Sequence, residues 1–246
     1  MKRILVTGSS GAVGRTVCKV LSKHGYAVVG LDRVSSPDCS ETHIADMADF
    51  KSVIEVLDGI DAVVHLAAKP NDADFMTEIL PNNIIATYNL LEACRQKNIK
   101  KLVLASTMQV LAKISPESGP SSKVSDGTAP TNFYSLSKVF LEGIANLYAV
   151  RHKMSITAVR IGWFARTSQE FERIGTSRAA EDMYLSRGDC GQFFLKALES
   201  PNPAPGFLLI LFATSRPKNG PGADLLTAKE SIGYEPMHVW PEGLEI

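Results

Sequence analysis

Short apolar runs alternate along the chain with longer stretches in which apolar side chains recur every three or four residues. The runs are "ILV" at 4–6, "AVVGL" at 27–31, "AVVHLA" at 62–67, "KLVLAS" at 101–106, "ITAVRI" at 156–161 and "FLLILF" at 207–212. Near-continuous apolar runs of this length suit strands that are buried on both faces. Between them the helical period marks roughly 12–24, 48–58, 77–97, 132–150 and 189–199. Strands alternating with helices predict an α/β fold, a doubly wound parallel sheet with helices on both sides. No internal repeat interrupts the alternation.

Two stretches break the pattern. Residues 112–131, "AKISPESGPSSKVSDGTAPT", have no period and are rich in Ser, Pro and Gly, which predicts a long loop. A loop leaving the carboxyl end of a strand in such a sheet lies beside the ligand crevice. Residues 162–188 hold Arg166, Arg173, Arg178 and Arg187 among several acids and form a candidate annex. The expected organisation is one compact unit, with a nucleotide-binding core over 1–162 and a small substrate-binding portion over 163–246. The last core strand and helix are interleaved with that portion.

The first turn carries chemistry. "GSSGAVG" at 8–14 follows the first apolar run and opens the first helix. Gly8 allows the tight turn, Gly11 the approach of backbone to a pyrophosphate, and Gly14 the close packing of helix on strand. The free amides of the helix start then face the anion. The second run ends at Asp32, 18 residues after Gly14. An acid there accepts hydrogen bonds from the adenosine ribose and repels a 2′-phosphate, which favours NAD over NADP in a Rossmann-like core. Arg33 and Arg15 are guanidinium groups nearby that a 2′-phosphate would suit. Asp46 in "IADMADF" either reaches the adenine edge or caps the following helix.

A second chemical signal is "NFYSLSK" at 132–138. Asn132 is an N-cap candidate, and Tyr134 and Lys138, four apart, share a helix face. At about 100° per residue, Tyr134, Lys138, Leu141, Ala145 and Tyr148 form one stripe. Leu136, Val139, Phe140, Gly143, Leu147 and Val150 form a second, and Ser135, Glu142 and Asn146 a polar edge. A lysine in a covered stripe needs compensation, which a dinucleotide's ribose hydroxyls and the phenol oxygen would supply. The ammonium, with an oxidised nicotinamide, would in turn lower the phenol from its ordinary pKa of about 10 toward that of a general base. The alternative is a snorkelling lysine beside a core tyrosine. Ser106 and Thr107, at the end of the "KLVLAS" strand, place a hydroxyl where it holds a substrate oxygen against that phenol.

Composition narrows the partners. Lys plus Arg and Asp plus Glu both total 26 in 246 residues, so no polybasic stripe points to nucleic acid or an anionic membrane. The apolar runs are too short to span a bilayer, and the N-terminal run is too short for a signal-peptide core. Cys18, Cys39, Cys94 and Cys190 have no metal-ligand spacing and read as free thiols of a cytoplasmic protein, with no metal. A small molecule is the expected partner.

Together "TGSSGAVG", "HLAA" at 65–68, "ST" at 106–107 and "YSLSK" resemble the extended short-chain dehydrogenase/reductases, the NAD-dependent epimerases and dehydratases, over about residues 1–162. The resemblance implies Tyr134 as acid/base, Lys138 as its support, Thr107 with Ser106 as neighbouring alternative, and Ala67 of "HLAA" against the cofactor. "NNIIATYNLLEACR" at 82–95, "VRIGWF" at 159–164 and "YLSRGDCGQFF" at 184–194 are similar to uronate dehydrogenases, which oxidise a hexuronic acid to a lactone. That likeness implies an oxidoreductase acting on a CH–OH group of a sugar or sugar acid. Asn83 is then a lining residue, and Arg178, or else Arg173, pairs with a sugar carboxylate through its bidentate fork or stays in solvent. Two departures fall near the substrate: "QVLAKI" replaces the usual Tyr-Gly after the strand-four hydroxyl, and Trp163 replaces a small polar residue.

Two other readings stay open: a nucleotide-sugar epimerase or dehydratase, and a dinucleotide-binding regulatory protein without turnover. The helix at 77–97 carries Ile84, Ile85, Tyr88, Leu91 and Cys94, and with the helix at 132–150 it is expected to form a four-helix homodimer interface, as in the family. Burial of these faces against the 162–188 annex is the alternative.

Overall fold

The computed structural model describes residues 2–111 and 121–243; the first part of the expected loop, 112–120, lies outside the described residues. Seven strands are β1 (Arg3–Thr7), β2 (Ala27–Asp32), β3 (Glu41–Ile44), β4 (Ala62–His65), β5 (Lys101–Thr107), β6 (Ser155–Ile161) and β7 (Phe207–Ala213). They form one sheet in the order β3-β2-β1-β4-β5-β6-β7, and every neighbouring pair is parallel. The direction of winding reverses between β1 and β4, so a crevice opens there at the carboxyl edge.

The helices are α1 (Ala12–Lys23), α2 (Phe50–Val56), α3 (Ala86–Gln96), α4 (Phe133–His152), α5 (Ser168–Ile174), α6 (Arg178–Asp182), α7 (Arg187–Glu199) and α8 (Leu226–Ile232). Alternation along each strand divides the core in two. Ile4 and Val6 of β1 join Val17 and Leu21 of α1, Phe193 and Phe194 of α7 and Ile232 of α8. Leu5, between them, points the other way, into a cluster with Val53 of α2, Leu90 and Leu91 of α3 and Leu141 of α4. Residues beyond 162 thus supply β7, α7 and α8 to the same sheet and core as the first half.

All six apolar runs are strands. β3 was not anticipated, because "ETHI" is a half-exposed edge strand without an apolar run. The helix expected at 77–97 begins as a π-helical segment, Phe75–Ile85, that contains Pro81 and continues into α3. Pro81 brings no amide, so the ordinary ladder cannot run through it. Residues 121–131 are tied down: Val124–Asp126 make a 3₁₀ turn, and isolated bridges join Leu111 to Thr128 and Ser122 to Ala223.

Asn132 caps α4, accepting from the Ser135 amide at 2.8 Å. The first stripe of that helix is buried as expected at Lys138, Leu141, Ala145 and Tyr148. The polar edge is not an edge: Ser135 and Glu142 are also buried, and Glu142 has an internal partner described below. The second stripe stays outside, with Leu136 47% and Val150 52% exposed. The annex therefore does not cover it. Leu91 and Cys94 of α3 are core, whereas Tyr88 is exposed.

Candidate active site

A cleft of about 930 Å³ runs along the carboxyl edge of the sheet, from the glycine turn past Tyr134 to Arg173. Its two ends have different chemistry. At one end Gly8 has φ +69°, and a Cβ there would lie 2.6 Å from the Ala67 amide nitrogen. A Cβ on Gly14 would lie 2.1 Å from the Gly8 carbonyl oxygen, so only hydrogen fits between helix and turn. Gly11 is the N-cap of α1 and supplies no side-chain cap, and no acid lies in the first turn. The orphan amides of α1 are therefore left to an anion in the cleft.

Asp32, at the end of β2, accepts from the Ser10 amide at 3.0 Å and the Arg33 amide at 2.7 Å, which fixes its carboxylate at the cleft wall. Arg15 is turned to Asp38 at 2.8 Å, while Arg33 lines the cleft. Asp46 and Ala67 line it as well. The cap of α2 is Asp49, accepting from the Lys51 amide, so Asp46 is not the helix cap. This end fits a dinucleotide: hydrogen-only packing at Gly8 and Gly14, uncapped amides for a pyrophosphate, and an oriented carboxylate for ribose hydroxyls.

Midway along the cleft, β5 and α4 bring Thr107, Tyr134 and Lys138 together. The Lys138 ammonium is 4% exposed, donates to the Ala105 carbonyl at 2.8 Å and lies 5.8 Å from the centre of the Tyr134 ring. Burial draws its pKa down to about 8. The Tyr134 phenol is pushed above its ordinary value by burial, against the opposing hydrogen bond of Thr107 and the positive charge of Arg166. The expected lowering by Lys138 is thus not found in the protein alone. Desolvation dominates the phenol, and the lysine directs a proton at the Ala105 carbonyl instead.

Ser106 takes a different course. Its hydroxyl donates to Glu142 Oε1 at 2.6 Å. Glu142 is held in turn by a two-pronged contact with Arg160, each bond 2.9 Å, in a fully buried cluster. Thr107, in the extended backbone that precedes a 3₁₀ turn, is the hydroxyl left facing the phenol. Behind the site His65 is buried, with Nδ1 2.7 Å from Thr7 Oγ1 and Nε2 3.4 Å from Thr87 Oγ1. Thr7 Oγ1 already accepts from the Leu66 and Ala67 amides, so it gives its own proton to Nδ1 and the ring carries its proton on Nε2. Burial first, then Lys138, pushes His65 down to about 3, and it is neutral.

Two expected substrate residues are placed elsewhere. Asn83 is buried and clips the Lys69 backbone, accepting at 2.8 Å, while donating to Ser137 at 2.8 Å; its neighbour Asn82 lines the cleft instead. Arg178 lies exposed at the start of α6, away from the cleft wall, because the chain turns at Gly175 before reaching it. Arg173 does line the cleft. So do Arg166, named above only as part of the annex, and Glu170. Their signal was there: Thr167 and Glu170 have capping-box spacing, and Arg166 lies four before Glu170. Trp163 presents its ring to the same end, 44% exposed.

Among the described residues, no group of three or more His, Cys, Asp or Glu is placed to hold a metal, and no helix is long and apolar enough to cross a membrane. All four cysteines are free.

Residues 4–170 match the model of the NAD dependent epimerase/dehydratase family. L-arabinose 1-dehydrogenase (NAD(P)+) of Haloferax volcanii is 32% identical over 257 aligned positions, covering 96% of both chains. Uronate dehydrogenase of Pseudomonas syringae pv. tomato is 25% identical over 205, covering 81% of this chain and 70% of its own. A solved variant of uronate dehydrogenase from Agrobacterium tumefaciens, complexed with NAD, superposes with a TM-score of 0.79 at 22% identity, over 97% of this chain and 85% of that one.

Proposed function

We propose, for a chain that belongs to the NAD dependent epimerase/dehydratase family, the NAD-dependent oxidation of a CH–OH group of a sugar or sugar acid. The observation that carries this reading is the meeting of Thr107, Tyr134 and buried Lys138 in one cleft with the glycine turn and Asp32. Gly8, Gly11, Gly14, Asp32, Asp46 and Ala67 would hold the dinucleotide, with Arg33 at its edge. When bound, the nicotinamide supplies the hydride acceptor.

The protein's own groups manage the proton. Thr107 holds the substrate hydroxyl against the phenol, and Tyr134 takes the hydroxyl proton as general base. Lys138 keeps a fixed cation next to the phenol, anchored by the Ala105 carbonyl. Its charge favours the phenolate once a substrate hydroxyl is in place. Arg166, whose charge already reaches the phenol, acts in the same sense. Arg173, which lines the cleft, would meet the far end of the sugar.

The exposed apolar faces of α3 and α4, with Tyr88, Leu136 and Val150, support a homodimer through these helices. Four free thiols and the absence of a membrane-length helix among the described residues agree with a cytoplasmic location.

A panel of aldoses, hexuronates, sugar phosphates and nucleotide sugars with NAD+ tests the reading through reduced-cofactor absorbance. A free sugar or sugar acid is expected to build up NADH. Conversion of a nucleotide sugar with no net NADH would instead establish the epimerase alternative.

A further inference from the structure

The substrate end of the cleft holds a guanidinium whose Nε–Nη2 edge is already occupied. Arg166 lines the cleft, and its charge reaches the Tyr134 phenol. Its Nε donates to both carboxylate oxygens of Glu170 at 3.0 Å, and Nη2 donates to Oε1. The Arg166 amide adds a bond of 2.8 Å to the same carboxylate. Glu170 is also fixed from below, because it lies in the first turn of α5 and its amide donates to the capping Thr167 hydroxyl at 3.2 Å. The Arg166 hydrogen bonds, first among the causes, hold the Glu170 carboxyl below its ordinary range, so it is an anion at neutral pH.

This arrangement bears on which sugars fit. A carboxylate or phosphate brought toward Arg166 finds the Nε–Nη2 edge, one of the two that bind bidentately, already taken by a fixed carboxylate. A sugar hydroxyl meets no such conflict: it carries no charge, and it accepts from an N–H of Arg166 outside the Nε–Nη2 edge without separating the pair. Trp163 adds an exposed aromatic face at this end, a surface for the C–H side of a sugar ring. Arg173 lines the cleft too, and its charge also falls on Glu170. The internal carboxylate therefore answers two guanidinium groups.

We infer that Glu170, by closing Arg166 internally, selects an uncharged aldose over the corresponding uronate. The inference rests on the sugar-oxidising reading above and names its substrate class. Glu170 is a specificity-determining residue in this account, and the proton chemistry of Tyr134 does not pass through it.

D-galactose and D-galacturonate form a matched pair that differs only at C6, and L-arabinose lacks that carbon. With NAD+ saturating, kcat/KM for D-galactose or L-arabinose is expected to exceed that for D-galacturonate at least about tenfold, the equivalent of one interaction of 1.4 kcal/mol. D-galacturonate is expected to be a poor competitive inhibitor of aldose oxidation. Glu170→Gln keeps an oxygen for the Arg166 amide and removes the charge, so it should narrow the ratio about tenfold or more while the KM for NAD+ stays unchanged. Preference of the wild type for D-galacturonate, tight inhibition by it, or an unchanged ratio in Glu170→Gln would overturn the inference. The inhibition measurement needs no variant, so a misfolded Glu170→Gln does not leave the question open. An enzyme that reduces NAD+ with no sugar of either kind removes the activity reading itself, a different result from reversed selectivity.

Discussion

Glu142 and Arg160 face each other inside the protein through two bonds of 2.9 Å, one helical turn beyond Lys138. The pair ties α4 to β6, and through Ser106 to β5. It thereby sets the register of Tyr134 and Lys138 on α4 against Thr107 on β5.

Breaking this pair strands a buried cation. Glu142→Leu should lower stability by about 3–5 kcal/mol in urea unfolding, since Arg160 has lost its carboxylate partner. Replacing both partners, Glu142→Leu with Arg160→Met, should recover most of that loss. A single variant within about 1 kcal/mol of the wild type would show that the cluster is not held as described.

His65 predicts an acid response of definite sign. Its pKa falls from 6.5 in the unfolded chain to about 3 in the folded one, so below 6.5 the unfolded chain binds a proton that the native protein refuses. Stability from this group is complete above 6.5 and is lost as pH falls toward 3. The slope is about 1.4 kcal/mol per pH unit, or about 2 kcal/mol by pH 5. Denaturant melts at pH 7 and pH 5 should show this loss in the wild type and a correspondingly smaller one in His65→Asn.

Cofactor choice is expected to turn on Asp32. Asp32→Ala removes the carboxylate but leaves Arg33 at the cleft wall. The ratio of kcat/KM for NADP+ over NAD+ should then rise at least about tenfold. An unchanged ratio would mean that the carboxylate does not face the ribose.

The uncovered faces of α3 and α4 predict self-association. Sedimentation equilibrium should give twice the chain mass of 26.6 kDa. Leu136→Arg with Val150→Arg should return the mass to that of one chain, because two buried charges would face their copies across the interface. A wild type at 26.6 kDa would leave those faces without the proposed partner.

Where the sequence was legible, a local rule sufficed. Each buried parallel strand is an apolar run, and the glycine turn is legible because hydrogen-only packing at Gly8 and Gly14 leaves no other residue possible. The strand β3 was not legible, since an edge strand needs no apolar run. Within the site, spacing put Tyr134 and Lys138 on one face, but it could not tell Ser106 from Thr107. That choice is made by Glu142, 36 residues away, which takes the Ser106 hydroxyl. Spacing likewise could not rank the arginines of 162–188, because the turn between α5 and α6 decides which of them reach the cleft.

The central claim is that the Tyr134 phenol moves the substrate proton, and the most direct measurement is NADH formation by Tyr134→Phe alongside its affinity for NAD+. The account predicts turnover lower by at least about a hundredfold, with NAD+ affinity kept within about twofold. Turnover equal to the wild type, with the cofactor still bound, would contradict it.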